Sequence, residues 1–517
     1  MGFLRSCFVL VAAFTVLFSP LTHAFEKRPG PPSLDYNTVI DVLPLADIRA
    51  AIAKAWTHGM NPKLYWTDEM ESNFNKGDSW QRAMKPQANQ NFLQLLKDLS
   101  VGGIDPATLT PDIKFTRKNF LSAKQLQAVI VSTGQKADLL VESLAPQNPP
   151  YIALKAALAR LYPACTSNGW VNVTRSKKVL KEGVRDGAVT ALKKRLMFLG
   201  YPIGSLDDLF DQQTVAAVND IEWNLHITPD GALHPAGKVW DFLMVSCMDR
   251  VHQIQADMEK MRWFPQYFAD RFIMINLAFT YFIMMDKTNG QNVVTSFRTI
   301  NGRPDRKSPT MKDEIVRVIF NPFWIVPPTV FLLDKVKEIK GLQQWQIRDY
   351  FAQHNYEVWN HNFTRQIDPQ TINWWAIDSA ADANFFIRQR PNYMNALGVV
   401  KFELTNSFSV YMHDTNQREL FAQPMRLLSS GCIRLEKPLD LAEYLLQGTT
   451  WDRPTIENVI AKPGEVLAKD TPVNLKNPIA VYTVYLTSQM SSDNILRFTD
   501  DIYGQNADVL SGFQGAL

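Results

Sequence analysis

Apolar and polar positions alternate with two different periods along this chain, and the change falls near residue 270. After Ser122, apolar or small residues recur at Leu126, Val129, Ile130, Thr133, Ala137, Leu140, Val141 and Leu144. That 3.6-residue period, sustained over six turns, predicts one long helix. Asn148-Pro149-Pro150 then breaks the chain before a second helical run, Tyr151 to Leu161. The same grain holds from about residue 39 to 175 without any cluster of polar residues, so 39–180 reads as a helical scaffold. From 181 to 248 the pattern is compact. Val189, Leu192, Leu196 and Leu199 line one helix that Gly200 stops. Val215, Val218, Ile221 and Leu225 line a second helix behind Asp211, and a third ends near Leu243 after the Asp230-Gly231 turn.

Beyond 270 the period shortens to that of strands. Arg271 to Asp286 is β-rich, and its core from Phe272 to Met285 reads as a buried strand. Asn289-Gly290 predicts a hairpin turn, and Val293 to Ile300 returns. Further strands are expected at Ile315–Phe320, Val399–Glu403, Phe408–His413 and Ile479–Leu486. Between them, residues 336–395 are helical and rich in aromatics, too long for an ordinary loop. The fold class is multidomain α+β: a helical scaffold, a three-helix unit, and a mainly β unit over 249–450 with a helical lid at 336–395. Residues 451–517 complete that β unit.

Composition narrows the function. With 30 Phe, 13 Trp and 15 Tyr in 517 residues the chain is not disordered as a whole. A formal charge of +3, with no basic run, gives nucleic acid no footing. Arg5, the apolar stretch Cys7–Phe18 and Thr22-His23-Ala24 read as a leader cleaved after Ala24, followed by a Pro-rich linker at 25–38. The apolar stretch is short for a membrane span, so export to the periplasm is expected, with an inner-membrane tether if the leader is retained. Beyond the leader stand three cysteines, Cys165, Cys247 and Cys432. At most one pair forms, and an odd thiol in an oxidising compartment is a candidate for chemistry.

That thiol sits in the segment Tyr411–Leu435, YMHDTNQRELFAQPMRLLSSGCIRL. A strand ends at His413, a polar loop follows, and Ser429-Ser430-Gly431-Cys432 turns back. Such a turn exposes a side chain, an imidazole can take the thiol proton, and Arg434 two residues on favours a thiolate. Backbone amides of Gly431 and Cys432 are placed to serve an oxyanion. The backbone near Asp414 or Thr415 is the expected partner orienting His413. Zinc-hydrolase, Cys-x-x-Cys, serine-elbow and phosphate-loop signatures are absent from the sequence.

The His…Ser-Ser-Gly-Cys-x-Arg string resembles the signature of the cysteine L,D-transpeptidases of bacterial peptidoglycan. NGRPDRKSPT (301–310), FNPFWIVPP (320–328), NALGVVKF (395–402) and FTDDIYG (498–504) resemble the large multidomain branch of that family. Residues 181–248, with Leu199-Gly200-Tyr201, Phe210-Asp211 and Asp230-Gly231, resemble its three-helix peptidoglycan-binding domain. They depart from it at Glu222-Trp223, where a Gln is usual. The resemblance implies Cys432 as nucleophile, His413 as general base and acid, and Gly431 with Cys432 as oxyanion donors. Tyr411, Arg434, Ser430 and Trp324 would contact substrate.

The implied reaction joins two diaminopimelate residues through a Cys thioester, with release of D-Ala. No metal or cofactor is implied, and carbapenems would acylate Cys432. Peptidoglycan stems are the implied donor and acceptor, with peptidoglycan synthases as further partners. Lid aromatics such as Trp374 and Trp375 would wall off water. Ser430 departs from the family, which places a second His there. The alternatives are an L,D-carboxypeptidase or endopeptidase, a transferase that anchors a lipoprotein, and a wall-binding scaffold without activity.

Overall fold

A computed structural model describes residues 34–167, 169–288, 291–512 and 517. The leader, residues 25–33 of the linker and the Asn289-Gly290 turn lie outside them. The linker expected to run to residue 38 instead gives way to a helix, Tyr36–Ile40, because Asp35 caps it by accepting from the Thr38 N–H at 2.8 Å.

In the scaffold the long helix expected after Ser122 is two helices, Ala123–Ser132 and Ala137–Leu144. Ser122 and Gln125 form a capping box at the first start. Gly134 and Gln135 both take positive φ (62° and 57°) between them. The break is short enough that both apolar stripes still face the same core, which is why the period survives across it. Asn148 caps the helix Pro149–Thr166, whose prolines at its start need no amide partner. Cys165, in that helix's last turn, is disulfide-bonded to Cys247 at the first position of the helix Cys247–Trp263.

That second helix is buried along most of its length between scaffold and β unit. Its Asp257 accepts the Thr487 and Ser488 amides at 3.0 and 2.8 Å, and its Glu259 accepts the Ile104 amide at 2.9 Å while pairing Arg262 at 2.7 Å. Lys260 pairs Asp257 at 2.9 Å, so these four buried charges stand in two ion pairs.

Among the described residues the β region holds fifteen strands: β1 (Arg271–Asn276), β2 (Tyr281–Asp286), β3 (Gln291–Gly302), β4 (Met311–Phe320), β5 (Trp324–Ile325), β6 (Tyr356–Asn360), β7 (Gln366–Ile367), β8 (Phe385–Gln389), β9 (Val400–Leu404), β10 (Met412–His413), β11 (Leu427–Ser429), β12 (Ile433–Leu435), β13 (Thr471–Val484), β14 (Ser488–Met490) and β15 (Leu496–Phe498). The main sheet runs β11-β3-β12-β10-β9-β4-β13-β1-β2, and β2 also pairs with β3, so the ring from β3 round to β2 closes into a barrel. β13, contributed by the last part of the chain, lies between β4 and β1.

The apolar run 272–285 is a hairpin of β1 and β2 and not one strand. Thr280 takes φ 54° at the turn, and both strands are apolar enough to hide the break. Phe408–His413 is strand only at its last two residues. The Asn406 side chain accepts the Phe408 and Val410 amides (3.0 and 3.3 Å), and Ser409 takes φ 58°, which curls the chain before it can pair.

The insertion is not simply helical. β5, β8, β6 and β7 form a second small sheet, so the inserted unit starts at Trp324, well before 336. Its own core gathers Trp324, Phe331, Ile339, Phe351, Val358 and Trp374.

Candidate active site

β10 and β12 run parallel, with Met412 opposite Ile433 and His413 opposite Arg434. Met412 and Ile433 are fully buried in the barrel core. Side chains alternate along a strand, so Tyr411, His413, Cys432 and Arg434 project to the opposite face. The Ile433 N–H donates to Tyr411 O at 3.1 Å, which sets Cys432 beside Tyr411.

The turn carrying the thiol is held by two serines. Ser429 Oγ accepts the Gly431 N–H (3.2 Å) and donates to Cys432 O (2.6 Å). Ser308 Oγ donates to Gly431 O (2.8 Å) and accepts the Gly302 N–H (2.9 Å). Gly431 itself takes φ 112°, a conformation closed to ordinary residues. Its amide is engaged within the turn by Ser429 Oγ. The Cys432 N–H has no hydrogen-bond partner among the described residues.

His413 is buried, and its Nδ1–H donates to Asp414 O at 2.5 Å. A carbonyl only accepts, so this bond fixes the tautomer and leaves the Nε2 lone pair free. Burial, then the Arg434 charge, push its pKa down from 6.5 to about 3, with Lys401 adding to the drop. The ring is a neutral base at physiological pH.

The Asp414 carboxylate is used elsewhere, accepting the Val399 N–H (2.9 Å) and Arg418. It packs so close to Gly398 (φ 59°) that a Cβ there would lie 2.2 Å from Oδ2.

Cys432 is half-buried, with Sγ 3.7 Å from Ser409 O. Burial pushes the thiol up from its usual pKa. The amide and hydroxyl of Tyr411, Lys401 and Arg434 pull the other way without prevailing. The resting group is thus a thiol, and Arg434 only moderates the cost of ionising it. Lys401, which sequence reasoning did not single out, pairs with His413 across β9 and β10 and holds its Nζ 4.3 Å from the Tyr411 ring centroid. Its signal was weak: a lysine on a strand otherwise reads as solvated surface.

A cavity of about 260 Å³ joins these groups to the inserted unit. Tyr411, His413, Ser430, Cys432 and Arg434 line its barrel side, and Trp324, Val330, Asp334, Lys335 and Glu338 line the other. Of the residues expected at the site, only Gly431 is not among its lining. Trp374 is fully buried in the inserted unit's own core, with its N–H on Pro369 O, and Trp375 is exposed. Neither lines the cavity, whereas Trp324 does.

Ser430 accepts from Arg306 Nη1 at 3.0 Å, and the same guanidinium grips Asp334 at 2.7 and 2.8 Å. The turn that carries Cys432 is thereby tied to the first helix of the inserted unit.

Comparison with known proteins matches this architecture. Residues 270–460 match the family described as the L,D-transpeptidase catalytic domain, residues 44–158 a "Scaffold domain", and residues 185–236 a "Putative peptidoglycan binding domain". The chain therefore carries an L,D-transpeptidase catalytic domain. Matches to a scaffold domain and a peptidoglycan-binding domain precede it along the chain.

A "Putative L,D-transpeptidase" of Haemophilus influenzae is 31% identical over 218 residues, which is 42% of each chain. The match thus spans less than half of that relative's length. An L,D-transpeptidase structure from Xylanimonas cellulosilytica (14% identical, covering 60% of this chain and 99% of that one) gives a TM-score of 0.18. A fused Zn-dependent amidase/peptidase/peptidoglycan-binding protein from Clostridium acetobutylicum (17% identical, 27% and 70% covered) gives 0.13. At those scores the family assignment rests on the sequence matches alone. Among the described residues no helix is long and apolar enough to cross a membrane.

Proposed function

We propose that the chain is an exported L,D-transpeptidase that cross-links peptidoglycan through a thioester on Cys432. His413 Nε2 takes the thiol proton as Sγ attacks the carbonyl of the diaminopimelate in a tetrapeptide stem. The Cys432 N–H stabilises the oxyanion, and collapse of the tetrahedral adduct breaks the amide bond. The His413 proton then leaves with the D-Ala amine.

The side-chain amine of a second diaminopimelate attacks the thioester and gives its proton to His413. The new amide forms, and the sulfur departs and is reprotonated. Tyr411, stacked under Lys401 and beside the sulfur, steadies the thiolate that is released. Arg434, Ser430 and Trp324 are assigned to substrate contact from the cavity wall.

The observation that carries this reading is a half-buried thiol lining the same cavity as an imidazole whose Nδ1–H is tied to Asp414 O. A resting thiol beside a neutral base transfers its proton only as attack proceeds, which suits amine acyl transfer.

The reading is tested on residues 25–517 with disaccharide-tetrapeptide, products being weighed beside a Cys432→Ala control. Dimers lacking one D-Ala, absent from the control, support it. Cys432-dependent tripeptide without dimer would make the enzyme a hydrolase, and D-Ala release by the control would refute the nucleophile.

A further inference from the structure

The peptidoglycan-binding domain touches the catalytic domain at the loop that links base to nucleophile, through the residues by which it departs from its family. Glu222 is buried and closes its own domain, accepting the Asp230 and Gly231 amides at 3.1 and 3.2 Å. Trp223 faces outward from the end of the helix Gln212–Asn224 and receives two guanidinium groups, Arg426 at 4.8 Å and Arg298 at 5.1 Å from its ring.

Both arginines hold the loop between His413 and Cys432. Arg298 donates to Phe421 O (3.1 Å), and Arg426 donates to Gln423 O and Pro424 O (2.7 and 3.3 Å) and to Thr280 Oγ1 (2.7 Å). Arg426 is itself buried, so the indole is part of what replaces its water.

His226, one turn on and also buried, sets its ring nitrogens against Pro424 O (3.1 Å) and Ala278 O (2.9 Å). It takes φ 58°, an uncommon conformation outside glycine, and its single ring N–H donates to one of these two carbonyls.

We infer that Trp223 and His226 are positioning residues: the peptidoglycan-binding domain braces the 418–428 loop and thereby sets Cys432 against His413. The inference rests on the reading of Cys432 as nucleophile. Trp223 touches no reacting atom and acts through Arg298 and Arg426. The domain is then a structural part of the catalytic site as well as a contact with the wall.

The test measures alkylation of Cys432 by iodoacetamide in the full chain, with Cys432→Ala as blank, alongside sedimentation with purified sacculi and thermal melting. Trp223→Ala should slow alkylation about fivefold, the scale of one partly exposed cation–π contact, and His226→Phe should slow it to a similar degree. Trp223→Phe, which keeps a ring under the guanidinium groups, should restore most of the rate, and sacculus binding should be unchanged. An unchanged alkylation rate in Trp223→Ala and His226→Phe overturns the inference. Loss of sacculus binding alone would make Trp223 a glycan contact and overturn it as well. If Trp223→Ala does not melt cooperatively, His226→Phe decides by the same rate. Alkylation requires no peptidoglycan, so failure here is separate from D-Ala release by Cys432→Ala, which would strike the proposed function.

Discussion

His413 and Arg434 stand opposite each other across β10 and β12, and Lys401 faces His413 from β9 on the other side. Burial first, and then the cations on either side, deny the imidazole a proton, so its pKa falls to about 3 while that of the thiol is raised by burial. In the free enzyme the reactive pair is therefore neutral across the physiological range, and Cys432 alkylation should rise only above the usual thiol pKa. Arg434→Gln removes a charge that lowers both groups. His413 and the thiol then both titrate at higher pH, and the alkylation limb moves to higher pH. A limb that moved down would contradict the electrostatic account.

The same shift carries a stability consequence. Because folding depresses the His413 pKa below 6.5, the native state binds fewer protons than the unfolded chain between about pH 3 and 6.5. Its contribution is present above pH 6.5 and lost as pH falls through that window. His413→Gln should lose less stability to acid than the parent over that range, measured by urea midpoints at several pH values.

Ser430 is joined through Arg306 to Asp334, so the residue that replaces the family's His serves as an anchor point between turn and inserted unit. Asp334→Asn should lower stability by about 2 kcal/mol, since it weakens charge-assisted bonds to a mostly buried guanidinium. KM for the donor should rise more than kcat falls. Ser430→His would bring a second ring against Arg306 and should raise KM likewise. Steady-state kinetics with unchanged KM in both would show that the link does not shape the cavity.

The disulfide between Cys165 and Cys247 spans 82 residues and pins the scaffold's last long helix to the buried helix Cys247–Trp263. Closing a loop of that length stabilises by roughly 4 kcal/mol on the chain-entropy account. Cys165→Ser with Cys247→Ser should lower the melting temperature by several degrees and leave the Cys432 alkylation rate unchanged. A fall in that rate at a temperature where the variant is folded would mean the scaffold reaches the site.

Much of this architecture was legible because it depends on local pattern. The helix faces at 189–199 and 215–225 follow period, and the site follows a strand, a loop and a Ser-Ser-Gly-Cys turn. What was not legible depended on partners distant in sequence. The β1–β2 turn hides inside an apolar run because both strands bury apolar side chains. Trp324 lies ahead of the insertion as the sequence bounds it, until β8, some sixty residues later, pairs with it.

Only the fold shows Ser429 Oγ accepting the Gly431 N–H. Trp374 reads as a lid face because it is aromatic, whereas the inserted unit is large enough to bury it in a core of its own. Lys401 and Trp223 had no periodic signature at all. Their significance comes from what lies across a sheet or a domain boundary.

The central claim is that Cys432 carries the acyl group, and intact-mass analysis with peptide mapping after brief exposure to disaccharide-tetrapeptide tests it most directly. The account predicts an acyl adduct on the peptide containing Cys432, with one D-Ala released per adduct. It also predicts that adduct formation slows by about 10²–10⁴ in His413→Gln, the range for loss of a general base. An adduct on any other residue, or D-Ala release that persists in Cys432→Ala, would contradict it.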